Sequence, residues 1–242
     1  MSTSQPQTMS GRDHRPRILL TAGPTHEPID RVRFLGNRSS GKMGLALADS
    51  ARRFGFPVTL LLGPIGYEPD LPPEIGLKRF TTADQLCRLL ESCWSEHDML
   101  VMAAAVSDFA MDPSQQLAGK RPRNSDGLDL HLVPTPDLVA TMASISRPDQ
   151  HVSGFALQES SDLEQQASRK LVQKKLDAIV ANSLDTMDSD QVHEGTILLA
   201  DGTRLAPSSS GPMDKDSFSS WVLQTLVEDW RRKTKSPSNP SA

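Results

Sequence analysis

The chain has 242 residues, 37% of them hydrophobic and 23% charged, with a formal net charge of −4. That is ordinary globular composition, enough for one large α/β domain or two small ones. Lys/Arg and Asp/Glu are mixed along the chain, so no global basic field argues for a nucleic-acid partner, and no apolar run reaches membrane-spanning length.

The first sixteen residues, MSTSQPQTMSGRDHRP, are polar and lack the apolar segment of a signal peptide. Residues 1–16 therefore read as a disordered tail on a cytoplasmic protein. Residues 17–22 (RILLTA), 57–62 (PVTLLL), 98–106 (DMLVMAAAV), 151–157 (HVSGFAL) and 176–181 (LDAIVA) predict strands buried on both faces, as in a parallel sheet. Helical patterns separate most of them. Over 41–54 Met43, Leu47, Ala51 and Phe54 form one stripe, over 82–94 Leu86, Leu89, Leu90 and Cys93 point inward, and 137–145 and 162–175 behave similarly. Cys87 and Cys93 do not share a face of their helix, so neither a disulfide nor a zinc site is suggested.

Residues 112–127 are polar and unpatterned and read as a mobile loop. Near the end, 196–199 and 203–206 predict a hairpin around Asp201-Gly202, followed by an amphipathic helix over 214–230. The βαβ alternation predicts an α/β fold with a Rossmann-like, doubly wound, mainly parallel sheet, then a C-terminal β-hairpin and helix. Residues 17–232 form the expected single domain, with 233–242 a second disordered tail.

Open sheets of this kind bind ligands where strands end and helices begin. Four connections carry candidate chemistry. The first holds GNRSSGKMG, in which Gly36, Gly41 and Lys42 match the spacing of a phosphate loop but Met43 replaces its Ser or Thr. Its distance from the first strand marks the match as convergent. Ser39, Ser40 and Gly41 nevertheless stand at a helix start, where free N–H groups and the dipole attract phosphate, and Ser39 or Ser40 is expected to cap the helix. Arg31, Arg33, Arg38 and Lys42 add a local cation cluster.

The second connection follows Ala103, Ala104 and Ala105, small residues that let a ligand press against the backbone, with Asp108 at the sheet's mouth. Lys120, Arg121 and Arg123 downstream suit a closing lid. The third is VPTPDL, where Asp137 caps a helix or holds a hydroxyl. The fourth combines GFALQE with KLVQKKLDAIVAN, in which Lys170 and Lys174 are i,i+4 neighbours that favour an anionic partner. Each of these features also has a purely structural reading: a capped helix, surface ion pairs, tight helix packing.

Taken together, TAGPTHEPIDRVRFLGNRSSGKMG, AAAVSDF, LAGKRPR, TPDL, GFAL and KKLDAIVAN resemble, in that order, the motifs of phosphopantothenoylcysteine synthetase, the ligase of the coenzyme A pathway. The resemblance covers roughly residues 17 to 182. It implies joining of the cysteine amine to 4′-phosphopantothenate after a nucleoside triphosphate has activated the carboxylate as an acyl-nucleotide. CTP is expected ahead of ATP, with Mg²⁺ carried by the nucleotide. A flavin-dependent decarboxylase half is absent, so a stand-alone enzyme without flavin is expected.

By the same resemblance Asn37 binds the pantothenate moiety and is needed to convert the acyl intermediate, and Arg33 reaches into a neighbouring subunit's site, which implies a homodimer. Ala104, Ala105 and Asp108 match substrate and nucleotide contacts. Gly23, Ser39, Gly41, Gly44, Phe155 and Asn182 match nucleotide-binding positions, and Lys120 the lid lysine over the phosphates. Ser40, Lys42, Lys170 and Lys174 join the candidate nucleotide site. KRPR, GFALQE and ANSLD depart from the commoner KK-rich lid, GFAAET and AND.

The chemistry needs such cations. Two unit charges 4 Å apart repel by about 4 kcal/mol at an effective dielectric near 20, and the reaction assembles a carboxylate, a phosphate monoester and a triphosphate. Two other readings stay open: a non-catalytic nucleotide sensor, and a dinucleotide oxidoreductase. Against the latter, no G-x-G-x-x-G turn follows the first strand, and Leu62-Gly63-Pro64 stands where a ribose-binding acid belongs.

Overall fold

The computed structural model describes residues 15–115, 119, 120, 127–158, 163–186, 189–208 and 211–235. Ile18–Ala22 (β1) is buried at every position and lies inside an eight-stranded sheet. In chain order there follow a short hairpin, His26–Pro28 (β2) with Phe34–Gly36 (β3), then Lys42–Arg53 (α1), Val58–Leu62 (β4), Ile75–Arg79 (β5), Ala83–Trp94 (α2) and Met99–Met102 (β6). A second hairpin pairs Phe109–Met111 (β7) with Leu132–Pro134 (β8). Leu138–Ser144 (α3), His151–Gln158 (β9), Leu163–Gln173 (α4) and Ala178–Ser183 (β10) come next. Gln191–Val192 (β11), Gly195–Leu199 (β12), Arg204–Leu205 (β13), Met213–Asp214 (β14) and Lys215–Lys235 (α5) complete the order.

The sheet runs β13-β12-β10-β9-β6-β1-β4-β5. Its pairs from β10 to β5 are parallel, and β12 and β13 add the expected antiparallel hairpin at one edge. Because successive side chains alternate across a strand, Ile18, Leu20 and Ala22 face α1 and α5, whereas Leu19, Leu61 and Leu100 face α2, α3 and α4. These two apolar layers are the core, and they account for the continuous hydrophobic strands.

Several expectations need correction. The strand over 98–106 ends at Met102. Beyond it the Ala104 amide donates to Thr21 Oγ1 at 3.0 Å and the Ala105 amide to the Gly23 carbonyl at 2.9 Å, and an isolated parallel bridge pairs Ala105 with Pro24, so this segment runs on beside the continuation of β1. The buried stripe of α1 includes Gly44, Leu47, Ala48 and Ala51, while Phe54 is 37% exposed. Gly44 decides this rotation, since a Cβ there would lie 2.4 Å from Ala22 Cβ. Strand β5 was not foreseen, because only Ile75 of its five residues is buried and no apolar alternation marks it.

The last helix continues to Lys235, past the expected boundary at 232. Lys233 Nζ donates to the Gln150 carbonyl at 2.7 Å and pairs with Asp177, and Trp230 Nε1 donates to the Asp149 carbonyl at 2.9 Å. At the other end Pro16 is buried, and Arg15 Nη1 donates to the Gly55 carbonyl at 3.2 Å. Among the described residues no helix is long and apolar enough to cross a membrane. The expected mobile loop and lid fall mostly outside the described residues, Arg121 and Arg123 included.

Candidate functional site

Strand order reverses between β1 and β6: the chain leaves β1 toward β4 and β5, then crosses back to β6 on the other side. Helices leave the sheet in opposite directions there, opening a crevice at the carboxyl ends of the strands. Two cavities occupy it. One, of about 430 Å³, is lined by Ala104, Ala105, Asp108, Asp137, Lys170 and Lys174, among others. The other, of about 200 Å³, is walled by Arg38, Ser39, Ser40, Lys42, Asn182 and Lys215, with Gly41 and Gly44 beneath. Ala104, Ala105 and Phe155 line both, so the two share a wall. A larger hollow of about 710 Å³ at the β12–β13 edge contains none of the residues singled out above.

The smaller cavity sits on the N-terminus of α1. Here the capping expectation is corrected: the N-cap residue is Gly41, at φ 73, with no side-chain cap. The Ser39 and Ser40 hydroxyls accept from the Gly41 and Lys42 amides at 3.4 and 3.5 Å, too long for strong bonds. Gly41 is needed because the chain turns through left-handed backbone there while touching Ile65 and Gly23. The helix start thus lacks a side-chain cap where it borders an open cavity, the arrangement that attracts phosphate. Lys42 lines that cavity, but its ammonium lies 2.6 Å from Asp190, a bond that raises the lysine pKa and lowers that of the aspartate.

The larger cavity is organised by its carboxylates and amines. Asp137 caps α3 by accepting from the Ala140 amide at 3.2 Å, and its other oxygen lies 2.9 Å from Lys174 Nζ. Burial pulls the Lys170 pKa down and the charge of Lys174 pulls it further, opposed by Asp108 and Asp137. A phosphate between the two amines would relieve that repulsion.

Threonine hydroxyls and main-chain bonds hold the shared wall. Thr21 Oγ1 fixes Ala104, Thr25 Oγ1 accepts from the Ser107 amide at 2.9 Å, and the Thr135 amide donates to the Asp108 carbonyl at 3.0 Å. Asn37 Nδ2 donates to the Val106 carbonyl at 2.9 Å, which brings the phosphate-loop connection against the alanine turn.

The crevice gathers Ser39, Ser40, Gly41, Lys42, Gly44, Ala104, Ala105, Asp108, Phe155, Lys170, Lys174 and Asn182 from the expected set. It does not gather Gly23, Arg33, Asn37 or Lys120 as lining residues. Gly23 lies behind Gly41 and bonds Ala105, and Asn37 reaches the wall only through Val106. Arg33 Nε donates to Asp30 at 2.9 Å within the turn of the β2–β3 hairpin, and Lys120 is exposed. Thr21, Thr25, Thr135, Thr186 and Lys215 were not singled out in the sequence. Hydroxyls beside or within apolar strands were the available signal for the first two.

Residues 14–229 match the family described as DNA/pantothenate metabolism flavoprotein C-terminal domain. A protein of an unknown prokaryotic organism named cysteine/cysteine sulfinic acid decarboxylase is 40% identical over 178 residues, 74% of this chain and 48% of that protein. The coenzyme A biosynthesis bifunctional protein CoaBC of Vibrio cholerae is 34% identical over 218 residues, 88% of this chain and 52% of that protein. The chain thus spans about half the length of these curated relatives. A crystal structure of the C-terminal domain of CoaBC superposes with a TM-score of 0.71 at 30% identity, covering 88% of this chain and 96% of that one. The chain therefore belongs to the family of the DNA/pantothenate metabolism flavoprotein C-terminal domain, homologous to the C-terminal domain of CoaBC.

Proposed function

We propose that this protein is a phosphopantothenate–cysteine ligase. The observation that carries the reading is the shared wall: an anion pocket on the α1 N-terminus and a lysine-lined pocket meet at Ala104, Ala105 and Phe155. A triphosphate and a second anionic substrate held on either side of small residues can approach each other closely. The ionised pantothenate carboxylate attacks the α-phosphorus and pyrophosphate leaves. The cysteine amine then attacks the acyl carbon, and the nucleoside monophosphate leaves with the bonding electrons.

No general base is required for the first step, because the nucleophile is already charged. What the site supplies is positioning and charge neutralisation. Lys170, Lys174 and the α1 amides offset the phosphates, and Lys120 closes from the lid. In this reading Asn37, whose Nδ2 donates one hydrogen bond to the Val106 carbonyl, turns its other N–H to the oxyanion of the second step. Among the described residues no three His, Cys, Asp or Glu side chains are grouped to hold a metal. In this reading Mg²⁺ arrives on the triphosphate as part of the substrate.

CTP is the preferred nucleotide in this reading, in line with bacterial synthetases. Incubation with phosphopantothenate, cysteine and either CTP or ATP should release CMP faster than AMP, with one amide formed per pyrophosphate. Absence of both nucleoside monophosphates would leave a nucleotide sensor as the better account.

The functional unit in this proposal is a cytoplasmic homodimer, with Arg33 entering the neighbouring site. Its support is the face around the β2–β3 hairpin, where Val32 is 62% and Phe34 54% exposed, with Phe109 on β7 50% exposed. Light scattering should give twice the chain mass for the wild type and a monomer for Phe34→Glu; a monomeric wild type removes the dimer.

A further inference from the structure

The 3₁₀ turn Leu184–Thr186 leaves β10 just past Asn182 and returns the chain to the rim of the 200 Å³ cavity. Thr186 lines that cavity and is only 2% exposed, yet its Oγ1 has no hydrogen-bond partner. A buried hydroxyl without a partner is disfavoured, and such groups are uncommon in folded proteins. An apolar isostere would fit the same space without that penalty. The same cavity is lined by the α1 N-terminus, Ser39, Ser40, Arg38 and Lys215, with Ala103, Phe155 and Leu157 as apolar neighbours. The polar groups that share this cavity with Thr186 therefore suit a phosphoryl oxygen.

We propose that the Thr186 hydroxyl is a ligand-binding group: Oγ1 donates to a phosphoryl oxygen held on the α1 N-terminus, and lacks a partner only while that phosphate is away. The inference rests on the ligase reading and deepens it. It assigns a contact to the segment after β10, where ANSLD departs from the AND pattern. The phosphoryl group belongs either to the nucleotide or to the monoester of phosphopantothenate.

The test measures binding of Mg-CTP and of phosphopantothenate separately, with melting temperatures, for the wild type, Thr186→Val and Thr186→Ser. Thr186→Val should raise the dissociation constant of one ligand by about tenfold, the loss of one hydrogen bond to a charged group. It should leave the other ligand unchanged and the ligand-free melting temperature equal or higher. Thr186→Ser should bind like the wild type. The ligand that is weakened identifies the source of the phosphate. A lower ligand-free melting temperature in Thr186→Val, including failure to fold, would show that the hydroxyl is structural and overturn the proposal. So would unchanged affinity for both ligands, or equal loss of both. If the wild type binds neither ligand, the ligase reading falls together with this one; if it binds and Thr186→Val binds equally, only this one falls.

Discussion

The two ends of the parallel sheet treat polar groups in opposite ways. At the end where strands begin, charged and polar side chains are consumed by the fold. Asp177 accepts from the Val152 amide at 2.8 Å and pairs with Lys233, Asp98 accepts from the Arg17 amide at 2.7 Å, and Gln150 Nε2 donates to the Trp94 and His97 carbonyls at 2.9 and 2.8 Å. His151 Nε2 lies 3.0 Å from Asp229 Oδ2, although its Nδ1 has no partner. At the end where strands finish, Lys174 stands close enough to Lys170 to help lower its pKa, a helix start has no side-chain cap, and a buried hydroxyl is left over. The first end stabilises the protein in the absence of any ligand. In the proposed function an anion completes the second.

This contrast can be broken by single substitutions. The largest effect is expected at Asn37. Asn37→Asp should keep pyrophosphate release from nucleotide and phosphopantothenate while slowing amide formation roughly 10²–10³-fold, the scale set by loss of one oxyanion donor. Full-rate amide product from that variant would end the assignment.

Next come two lysines that test the ends against each other. Lys174→Ala should lower kcat/KM for the nucleotide by roughly tenfold or more, because a charge-assisted contact is lost, and leave the melting temperature nearly unchanged. Lys233→Ala should do the reverse. It removes a bond to the Gln150 carbonyl and an ion pair with Asp177 that is mostly shielded from water, so stability should fall by about 1–2 kcal/mol with kcat/KM preserved. If both variants lost activity and stability together, the division of labour between the ends would be wrong.

The smallest expected effect is a pH dependence. Burial and Lys174 lower the pKa of Lys170 in the free protein, and a bound phosphate favours the charged form. Binding therefore takes up a proton once the pH exceeds the depressed pKa, and nucleotide affinity declines as pH rises through it. Lys170→Arg stays charged throughout and should lose that decline. Titrations of wild type and variant that run parallel across the alkaline range would assign the dependence to another group.

Much of the fold is legible in the chain because buried parallel strands are written as unbroken apolar runs. RILLTA and LDAIVA declare themselves in this way, and Asp201-Gly202 marks the hairpin. What escaped notice lacks that signature: β5 is an edge strand with one buried residue, and the paired segments β2–β3, β7–β8 and β11–β14 are two or three residues long. The rotation of α1 was misjudged because hydrophobicity favours Phe54, whereas contact distance favours Gly44. In the site, glycines, serines and alanines at strand ends were found from their positions, but the hydroxyls of Thr21, Thr25 and Thr186 look like any other threonine until their neighbours are known.

Residue order alone was enough for the α/β class, for most of the strands and for the connections that line the crevice, since periodicity and composition are local properties of a chain. Which connections meet was settled by packing. β1 and β6 are neighbours in space although four strands and two helices separate them in sequence. Only their adjacency sets the phosphate loop beside the alanine turn. The same holds for charge: Lys42 pairs with Asp190 and Lys174 with Asp137, because ion pairs form by distance through the folded molecule, which no spacing along the chain encodes.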